Sequence, residues 1–169
     1  MNEPPAWSAV EPLRADHLLD DFDCGNESLN HWLKKYAFTN QASESARTYV
    51  VSREKSVVGY YALAAGSVRR AKAPPRIAKA QPEPIPILLL ARLAIDKSCQ
   101  GKGLGAALLK DALLRVEQAA DIVGIRAVLL HASDEAARRF YKKYGFEESP
   151  VDELHLMLLM KDLRASLRS

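Results

Sequence analysis

The sequence predicts a mixed α/β fold in which helices flank a central sheet. Three observations lead to this class. Runs of alternating or β-branched residues recur along the chain, helical spacing separates several of them, and 169 residues with 48% hydrophobic composition suffice for one packed domain over residues 1–169. The predicted strands are Trp7–Leu13, Arg47–Arg53, Val57–Ala65, Ile87–Ile95, Ile125–Ala132 and Leu154–Lys161.

The first helix is predicted from apolar residues that recur at positions i, i+3, i+4, i+7 and i+8. Asn26 is placed to cap this helix, and Asp16 is placed to cap a shorter helix before it. The polar turn Arg53–Ser56 then joins the second and third strands as an antiparallel hairpin. The apolar helical residues are Leu29, Trp32, Leu33, Tyr36 and Ala37.

Residues 66–86 are predicted to form a long, exposed, basic loop. This stretch contains five of the nine prolines, and it carries five basic residues against one acid, Glu83. Proline lacks the amide hydrogen that a central strand needs, and loops of this length in compact domains usually serve a function. The basic residues are Arg69, Arg70, Lys72, Arg76 and Lys79.

The second half of the chain alternates between strands and helices. A glycine-rich turn follows the strand that ends at Ile95, and a long helix is predicted from about Gly101 to Ala119. The broad apolar face of this helix indicates packing on a sheet, and the order strand, helix, strand favours a parallel strand pair. Asp134 is placed to cap the next helix.

Composition and charge exclude several classes of protein. The net charge of +3 is too small to argue for nucleic-acid binding by itself. Cys24 and Cys99 have no CxxC spacing and the four histidines form no cluster, so no metal site is predicted. The N-terminus lacks a basic stretch followed by an apolar run, and no apolar run is long enough to span a membrane. A cytoplasmic protein is therefore expected.

The glycine-rich turn, Gln100–Gly105, is predicted to bind an anion. Backbone N–H groups at a helix N-terminus can point at an anion, and glycines let that backbone approach the anion closely. The turn is not a Walker A loop, because no Lys-Ser/Thr pair follows its second glycine, and it does not match GxGxxG. A nucleotide triphosphatase is therefore disfavoured.

The letters Gln-Gly-Lys-Gly-Leu-Gly match the Q/R-x-x-G-x-G/A signature of the GNAT N-acetyltransferases, and Ala136–Phe146 resembles the A-x-x-F-Y-x-x-x-G-F segment of that family. The resemblance implies a sheet with splayed central strands and acetyl-CoA as the cofactor. It implies that main-chain groups of Leu93, Ala94 and Ile95 bind the pantetheine arm. The pyrophosphate would be bound by Gln100, Gly101, Lys102, Gly103, Leu104 and Gly105.

The same resemblance places the hydroxyl of Tyr141 near the sulfur of coenzyme A as the general acid. A phenol with an ordinary pKa of about 10 is protonated at neutral pH, so it can donate a proton to the departing thiolate. A backbone N–H of the splayed strand would polarise the carbonyl. Tyr144 and His131 are expected to have structural roles.

The N-terminal half of the chain resembles the acetyltransferase toxins of type II toxin–antitoxin modules. The resemblance rests on Phe22–Asn26, Asn40–Ala42, Thr48–Val50 and Leu90–Asp96. It implies transfer of acetyl to the α-amino group of aminoacyl-tRNA, which blocks translation. It also implies a homodimer neutralised by a ribbon-helix-helix antitoxin, with DNA contacted only through that antitoxin.

A tRNA substrate predicts a positive surface along the route to the thioester. An α-amino group has a pKa of about 7.7–8.0 and is partly neutral at cellular pH, so no strong base is required. Two alternatives remain open, a GNAT enzyme acting on a protein or small-molecule amine, and a non-catalytic module that binds coenzyme A. The residues expected to contact tRNA are Lys34, Lys35, Arg69, Arg70, Arg76, Arg92 and Lys142.

Overall fold

The computed structural model describes residues 7–168, so residues 1–6 and 169 of the predicted domain lie outside the described part of the chain. Seven strands form one sheet, in the order β1-β2-β3-β4-β5-β7-β6. Helices occur between the strands, and the predicted mixed α/β class is confirmed. The strands are β1 Glu11–Pro12, β2 Arg47–Arg53, β3 Ser56–Val68, β4 Ile85–Ile95, β5 Ala127–His131, β6 Glu147–Glu148 and β7 His155–Leu159.

Six α-helices lie in the described chain, and none of them is long and apolar enough to cross a membrane. A π-helical turn, Leu33–Ala37, separates the first two, and short 3₁₀ turns occupy Arg70–Lys72 and Lys97–Cys99. The α-helices are α1 Glu27–Trp32, α2 Phe38–Ser43, α3 Pro75–Ala78, α4 Leu104–Ala120, α5 Glu135–Lys142 and α6 Met160–Arg168.

The described chain divides into two compact units. The first comprises the residues up to Leu63 together with Arg92–Ala112, and the second comprises Ala64–Ala91 together with the residues from Leu113 onward. Each unit has its own buried apolar cluster. In the first unit this cluster contains Leu13, Phe22, Leu33, Ala37, Val50, Val57, Tyr60 and Ala94. In the second unit it contains Val68, Ala73, Ile77, Ile85, Ile87, Ala127, Leu129, Met157 and Leu159.

In the first unit, β2 and β3 form the predicted hairpin. The strands pair antiparallel, and Arg53 pairs with Ser56 at the turn. The two residues between them, Glu54 and Lys55, have φ values of 49° and 72°. Two successive left-handed residues are typical of the tight turns whose twist suits paired strands. The bounds of β2 agree with the prediction residue for residue.

Helix α1 begins at its predicted cap. The side chain of Asn26 accepts a hydrogen bond from the N–H of Leu29, which satisfies one of the free amides of the first turn. The shorter helix predicted at Asp16 is wrong. Asp16 lies in a turn, and its carboxylate forms ion pairs with Arg14 and Lys55 instead of capping a helix.

In the second unit, β4 and β5 run parallel, as predicted, and β7 runs antiparallel to β5. Ile87–Leu89 pairs with Ala127–Leu129. The side chain of Asp134 caps α5 by accepting a hydrogen bond of 2.8 Å from the N–H of Ala137, which confirms the predicted cap. Strand β6 was not predicted, because two consecutive glutamates carry no alternating apolar pattern.

Most residues of 66–86 are exposed, as predicted, but the segment is not one continuous loop. The first three of them complete β3, a 3₁₀ turn and α3 follow, and β4 begins at Ile85. Ile77 and Ile85 are fully buried in the core of the second unit, and burial of these apolar side chains fixes the segment. Pro75 is tolerated because it stands in the first turn of α3, where no amide hydrogen is needed.

The first and last predicted strands are shorter in the structure. Strand β1 contains only two residues, Glu11–Pro12. Strand β7 ends at Leu159, because α6 begins at Met160 and continues through the residues predicted to extend the strand. The apolar run across this boundary has no turn residue to mark where the strand stops.

Candidate active site

The glycine-rich turn joins β4 to α4 in the first unit. Helix α4 begins at Leu104, three residues after the predicted start, because the preceding glycines form the turn. Gly101 and Gly103 have φ values of 76° and 82°, a region that other residues rarely adopt. At either glycine, no atom of the described chain outside the glycine and its two neighbours lies within 4 Å of the position that a Cβ would take. We call this open part of the turn the cradle; an accessible backbone before a helix N-terminus is a feature that phosphate binding requires.

The other predicted cofactor residues are close to this cradle in the sequence. Lys102 is exposed between the two glycines, and Leu104 and Gly105 form the first turn of α4. Leu93–Ile95 forms the last part of β4. Ala94 is buried in the core of the first unit, and its two neighbours, on the opposite face of the strand, are half-buried.

The side chain of Gln100 has a structural role within the protein. Its Nε2 donates hydrogen bonds to the carbonyl oxygens of Cys24, at 2.9 Å, and Ile95, at 2.8 Å. The carboxylate of Asp96 accepts a hydrogen bond of 2.8 Å from the backbone N–H of Asp23. These four contacting residues, Asp23, Cys24, Asp96 and Gln100, form what we call the turn clasp. It fastens the glycine turn to the segment that precedes α1.

Asp23 also stabilises the segment before α1 through hydrogen bonds to its side chain. Its side chain accepts hydrogen bonds from the N–H of Gly25, at 2.9 Å, and from Nδ2 of Asn30, at 3.0 Å. These hydrogen bonds, chiefly the one from Gly25, hold the pKa of Asp23 below its usual range, so this carboxylate is ionised at neutral pH. No pattern in the sequence predicted the turn clasp. Its one signal was Phe22–Asn26, which was interpreted as a family resemblance and not as a contact.

We expect Gln100→Glu to weaken the turn clasp. A carboxylate cannot donate hydrogen bonds, so both carbonyl oxygens would lose a donor and face a negative charge. The free energy of unfolding should fall by about 1 kcal/mol, and the KM for acetyl-CoA should rise several-fold because the turn is less well held. Thermal denaturation and steady-state kinetics measure the two effects. Gln118→Glu, at an exposed position of α4, is the matched control; equal losses in both variants would contradict the role of the clasp.

Tyr141 lies on α5 in the second unit. Its ring packs edge-on against Phe140 and Phe146, with centroid distances of 5.1 and 5.7 Å, and it is 8% exposed. Burial raises the pKa of the Tyr141 phenol above its ordinary value, so the hydroxyl keeps its proton throughout the physiological range. Within residues 7–168 this hydroxyl has no hydrogen-bond partner, which leaves its proton available to a ligand. Tyr144 is exposed and packs on Phe140.

A carboxylate on β6 holds α5 in place. Glu148 accepts hydrogen bonds from Nζ of Lys142, at 2.7 Å, and from the guanidinium of Arg138. These donors, Lys142 first, hold the pKa of Glu148 below its usual range. Arg138 and Lys142 stand on either side of Tyr141 in the helix, so Glu148 restrains the part of α5 that carries the phenol. Lys142, a predicted tRNA contact, is therefore already paired.

We expect Glu148→Gln to lower kcat while leaving the KM for acetyl-CoA unchanged. A neutral amide keeps the size of the side chain and one acceptor oxygen, but it removes the negative charge that strengthens both hydrogen bonds, so α5 is held less firmly. Displacement of a reacting group by a fraction of an ångström should cost up to about tenfold in rate. Glu153→Gln, at an exposed position, is the control. A rise in KM with kcat unchanged would instead indicate that Glu148 acts on donor binding.

Most of the predicted tRNA contacts in the second unit are already paired. Arg76 lies 2.7 Å from Asp162 and 2.8 Å from Glu147. Arg70 lies 3.7 Å from Glu83. These carboxylates neutralise much of the charge that a phosphate would otherwise meet. The proline-rich segment therefore offers less positive charge than its composition suggests.

Four predicted contacts have no acidic partner within residues 7–168. Arg69 belongs to the second unit and is exposed. Lys34 and Lys35 are exposed on the π-helical turn of the first unit. Arg92, on β4, lies over the ring of Trp32 with its guanidinium carbon 4.4 Å from the ring centroid. The structure thus places Lys34, Lys35 and Arg92 in one unit, on and against the helical segment that begins with α1.

His131 and His155 face each other at one end of β5 and β7. They pair in register, and their ring centroids are 3.5 Å apart. Burial, and then the charge of His155, lower the pKa of His131, so His131 is neutral at neutral pH. Within the described chain, no group of three or more His, Cys, Asp or Glu side chains is placed to hold a metal ion.

The family can now be assigned. Residues 44–148 match the profile of the acetyltransferase (GNAT) domain, a range that contains both the glycine turn and Tyr141. The chain belongs to the GNAT family of acetyltransferases. This GNAT protein is 51% identical to the tRNA-acetylating toxin of Mycobacterium tuberculosis (strain ATCC 25618 / H37Rv), over 94% of its own length and 96% of the relative.

Solved structures of another GNAT protein, AtaT, share the fold. AtaT complexed with acetyl-methionyl-tRNAfMet superposes with a TM-score of 0.86 at 35% identity, covering 95% of this chain and 99% of that chain. A mutant AtaT toxin bound to the C-terminus of the antitoxin AtaR and acetyl-CoA superposes with a TM-score of 0.82 at 34% identity, covering 95% and 98%. The predicted acetyltransferase class and its use of acetyl-CoA are confirmed.

Proposed function

We propose that this GNAT enzyme transfers acetyl from acetyl-CoA to the α-amino group of aminoacyl-tRNA and thereby blocks translation. The observation that carries the proposal is the 51% identity, over nearly the whole chain, to a tRNA-acetylating toxin. The likeness to AtaT complexed with acetyl-methionyl-tRNAfMet supports the same acceptor.

The cradle at Gly101 and Gly103 fits the pyrophosphate of coenzyme A, because a Cβ at either position would fill the open space in front of α4. Backbone N–H groups of the turn would bind the phosphate oxygens, and the exposed Lys102 adds positive charge beside them. Main-chain groups of Leu93–Ile95 would hold the pantetheine arm. Acetyl-CoA supplies the activated acetyl thioester. The turn clasp keeps the cradle in the shape that binding needs.

Tyr141 would act as the general acid. Amide formation breaks the carbon–sulfur bond of the thioester, and the departing thiolate needs a proton. Burial raises the pKa of the Tyr141 hydroxyl, so the hydroxyl is protonated and can donate that proton. It also has no hydrogen-bond partner in the described chain that would compete for the proton. It would regain a proton from water. The amine that attacks needs no strong base, since an α-amino group with a pKa of about 7.7–8.0 is already partly neutral.

Positively charged side chains of each unit would contact the acceptor. Lys34, Lys35 and Arg92 in the first unit, and Arg69 in the second, have no acidic partner among the described residues, so their charge is available to phosphates. Arg70, Arg76 and Lys142 remain proposed contacts of weaker effect, since carboxylates already pair with them. Affinity for tRNA should fall as salt rises.

We also infer the partners of the enzyme. A mutant AtaT toxin is bound to the C-terminus of its antitoxin AtaR, and an AtaT–AtaR complex is bound to DNA. By this likeness, a ribbon-helix-helix antitoxin would neutralise the enzyme and would provide its contact with DNA. A homodimer in the cytoplasm is the form proposed for the active enzyme.

Acetylation of charged tRNA tests the proposed function. Purified enzyme is incubated with labelled acetyl-CoA and either bulk aminoacyl-tRNA or the same tRNA after deacylation. Label should enter the charged tRNA only. Label in both samples, or transfer to protein or small amines without transfer to charged tRNA, would overturn the proposed acceptor. Acetyl-CoA binding without any transfer would indicate a non-catalytic coenzyme A module.

A further inference from the structure

Arg92 lies over a stack of two aromatic rings in the first unit. Its guanidinium carbon lies 4.4 Å from the centroid of the Trp32 ring. That ring stacks in turn on Tyr60, with a centroid distance of 6.1 Å and an angle of 10° between the planes. The Tyr60 hydroxyl donates a hydrogen bond of 2.7 Å to the carbonyl oxygen of Leu29, in α1. Tyr60 is fully buried, so the lower ring of the stack is held in the core of the first unit.

The guanidinium of Arg92 forms no ion pair within the described chain. It is half-buried, and no carboxylate pairs with it within residues 7–168. Burial lowers the pKa of Arg92, and the neighbouring Tyr60 raises it by a smaller amount. The guanidinium remains charged, because the ordinary pKa of arginine is far above neutral pH. Within residues 7–168 its N–H groups donate no hydrogen bond, so they are available to an anion while the guanidinium stays over the Trp32 ring. Arg76, by contrast, uses its N–H groups on two carboxylates.

The strand geometry shows which side of β4 carries Arg92. Along β4, residues two apart point to the same face, and Ala94 on that face packs in the cluster that also contains Leu33 of the π-helical turn. Arg92 therefore projects toward the helical segment and not toward the opposite face of the strand. This segment carries Lys34 and Lys35 and contains no acidic residue from Leu33 to Ser43.

We propose that Arg92, held over the ring of Trp32, binds the phosphate that joins the last two nucleotides of the charged acceptor strand. The inference rests on the proposed function. In aminoacyl-tRNA this phosphate belongs to the same nucleotide that carries the aminoacyl ester. Binding the phosphate would therefore position the nucleotide to which the reacting amine is attached. A planar guanidinium can donate two parallel hydrogen bonds to phosphate oxygens. Arg92 would thus select nucleotide-linked amines over free amino acids and peptides.

Two small acceptors with the same free α-amine test the inference. Puromycin is an aminoacyl-nucleoside analogue without a phosphate, and cytidylyl-puromycin carries the phosphate that joins its nucleoside to cytidine. The ratio of their kcat/KM values measures the advantage that the phosphate gives. We expect this ratio to be about tenfold or more in the unaltered enzyme, as for a charge-assisted hydrogen bond, and close to one in Arg92→Ala. Arg92→Lys, which keeps the charge, should retain only part of the advantage.

Two controls accompany these variants. Arg47→Ala removes an exposed arginine of the first unit that pairs with Glu44, and it should leave the ratio unchanged. Trp32→Leu removes the support under the guanidinium and should lower the ratio while the charge is still present. Thermal denaturation of each variant shows that the fold is intact.

Three results would overturn the inference. Equal losses on both acceptors in Arg92→Ala would show that Arg92 does not act on the phosphate. A raised KM for acetyl-CoA with an unchanged acceptor ratio would place a phosphate of coenzyme A at this position. A ratio near one in the unaltered enzyme would show that the phosphate is not recognised. Failure to acetylate charged tRNA itself would instead overturn the proposed function, which the first assay reveals independently.

Discussion

Tyr141→Phe should reduce kcat for acetyl transfer by about 100-fold or more, the range that loss of a general acid covers. The substitution removes one oxygen atom and keeps the ring that packs against Phe140 and Phe146. The fold should therefore be intact, and acetyl-CoA should bind with nearly unchanged affinity. Single-turnover kinetics give the rate of transfer, and calorimetric titration gives the affinity for the donor.

Tyr144→Phe is the matched control for this prediction. Tyr144 follows α5, is exposed, and packs on the same Phe140, so losing its hydroxyl should change kcat by less than a few-fold. Transfer at the normal rate in Tyr141→Phe would remove Tyr141 from the role of general acid. Equal losses in the two variants would show that the effect arises from disturbance of the helix end and not from a lost proton donor.

The dependence of the rate on pH follows from the same assignment. Burial raises the pKa of Tyr141, so its proton is present below that raised pKa and is lost only at strongly alkaline pH. The rate should therefore rise as the α-amino group of the acceptor loses its proton near pH 8, and it should stay high above that point. A profile of kcat/KM for the acceptor measures this rise. A decline between neutral pH and pH 9 would contradict the assignment.

Gly103→Ala should raise the KM for acetyl-CoA on the order of tenfold or more, the second large effect that we expect. At a φ of 82°, an L-residue is strained by about 1–2 kcal/mol. The strain favours a shifted turn, and the new methyl group stands in the open cradle where the pyrophosphate would lie. Both effects oppose donor binding, and 1.4 kcal/mol corresponds to about tenfold in affinity.

Gly124→Ala provides the comparison for this variant. Gly124 also has open space around it, but its φ is not in the left-handed region and it lies outside the turn. Donor affinity and kcat should be unchanged there. If Gly103→Ala bound acetyl-CoA as well as the unaltered enzyme, the cradle would not be the pyrophosphate site. Isothermal titration with coenzyme A measures the affinities of both variants directly.

Features set by local pattern could be predicted from the sequence. The bounds of β2, the cap at Asn26 and the cap at Asp134 depend on residues close together in the chain, and all three are confirmed. The glycine turn also has the left-handed backbone that alternating glycines favour. Short-range sequence rules suffice for such features because their contacts are themselves short-range.

Features set by contacts between distant residues could not be predicted. The turn clasp joins Gln100 to a carbonyl 76 residues earlier, and Arg76 pairs with Asp162, 86 residues later. No local pattern marks either contact. The proline-rich segment was predicted to be one exposed loop because its buried isoleucines, Ile77 and Ile85, stand among prolines and charged residues. Burial of these two side chains in the core outweighs the local composition.

The chemical identity of the acetylated product shows whether the α-amine of the aminoacyl group is the acceptor. Charged tRNA is treated with acetyl-CoA and either the unaltered enzyme or Tyr141→Phe, then digested with nuclease, and the aminoacyl-adenosine is analysed by mass spectrometry. The proposed reaction gives one acetyl group on the α-amine of the aminoacyl-adenosine with the unaltered enzyme, and little or none with Tyr141→Phe. Acetyl found on a base, on the ribose or only on protein would contradict it.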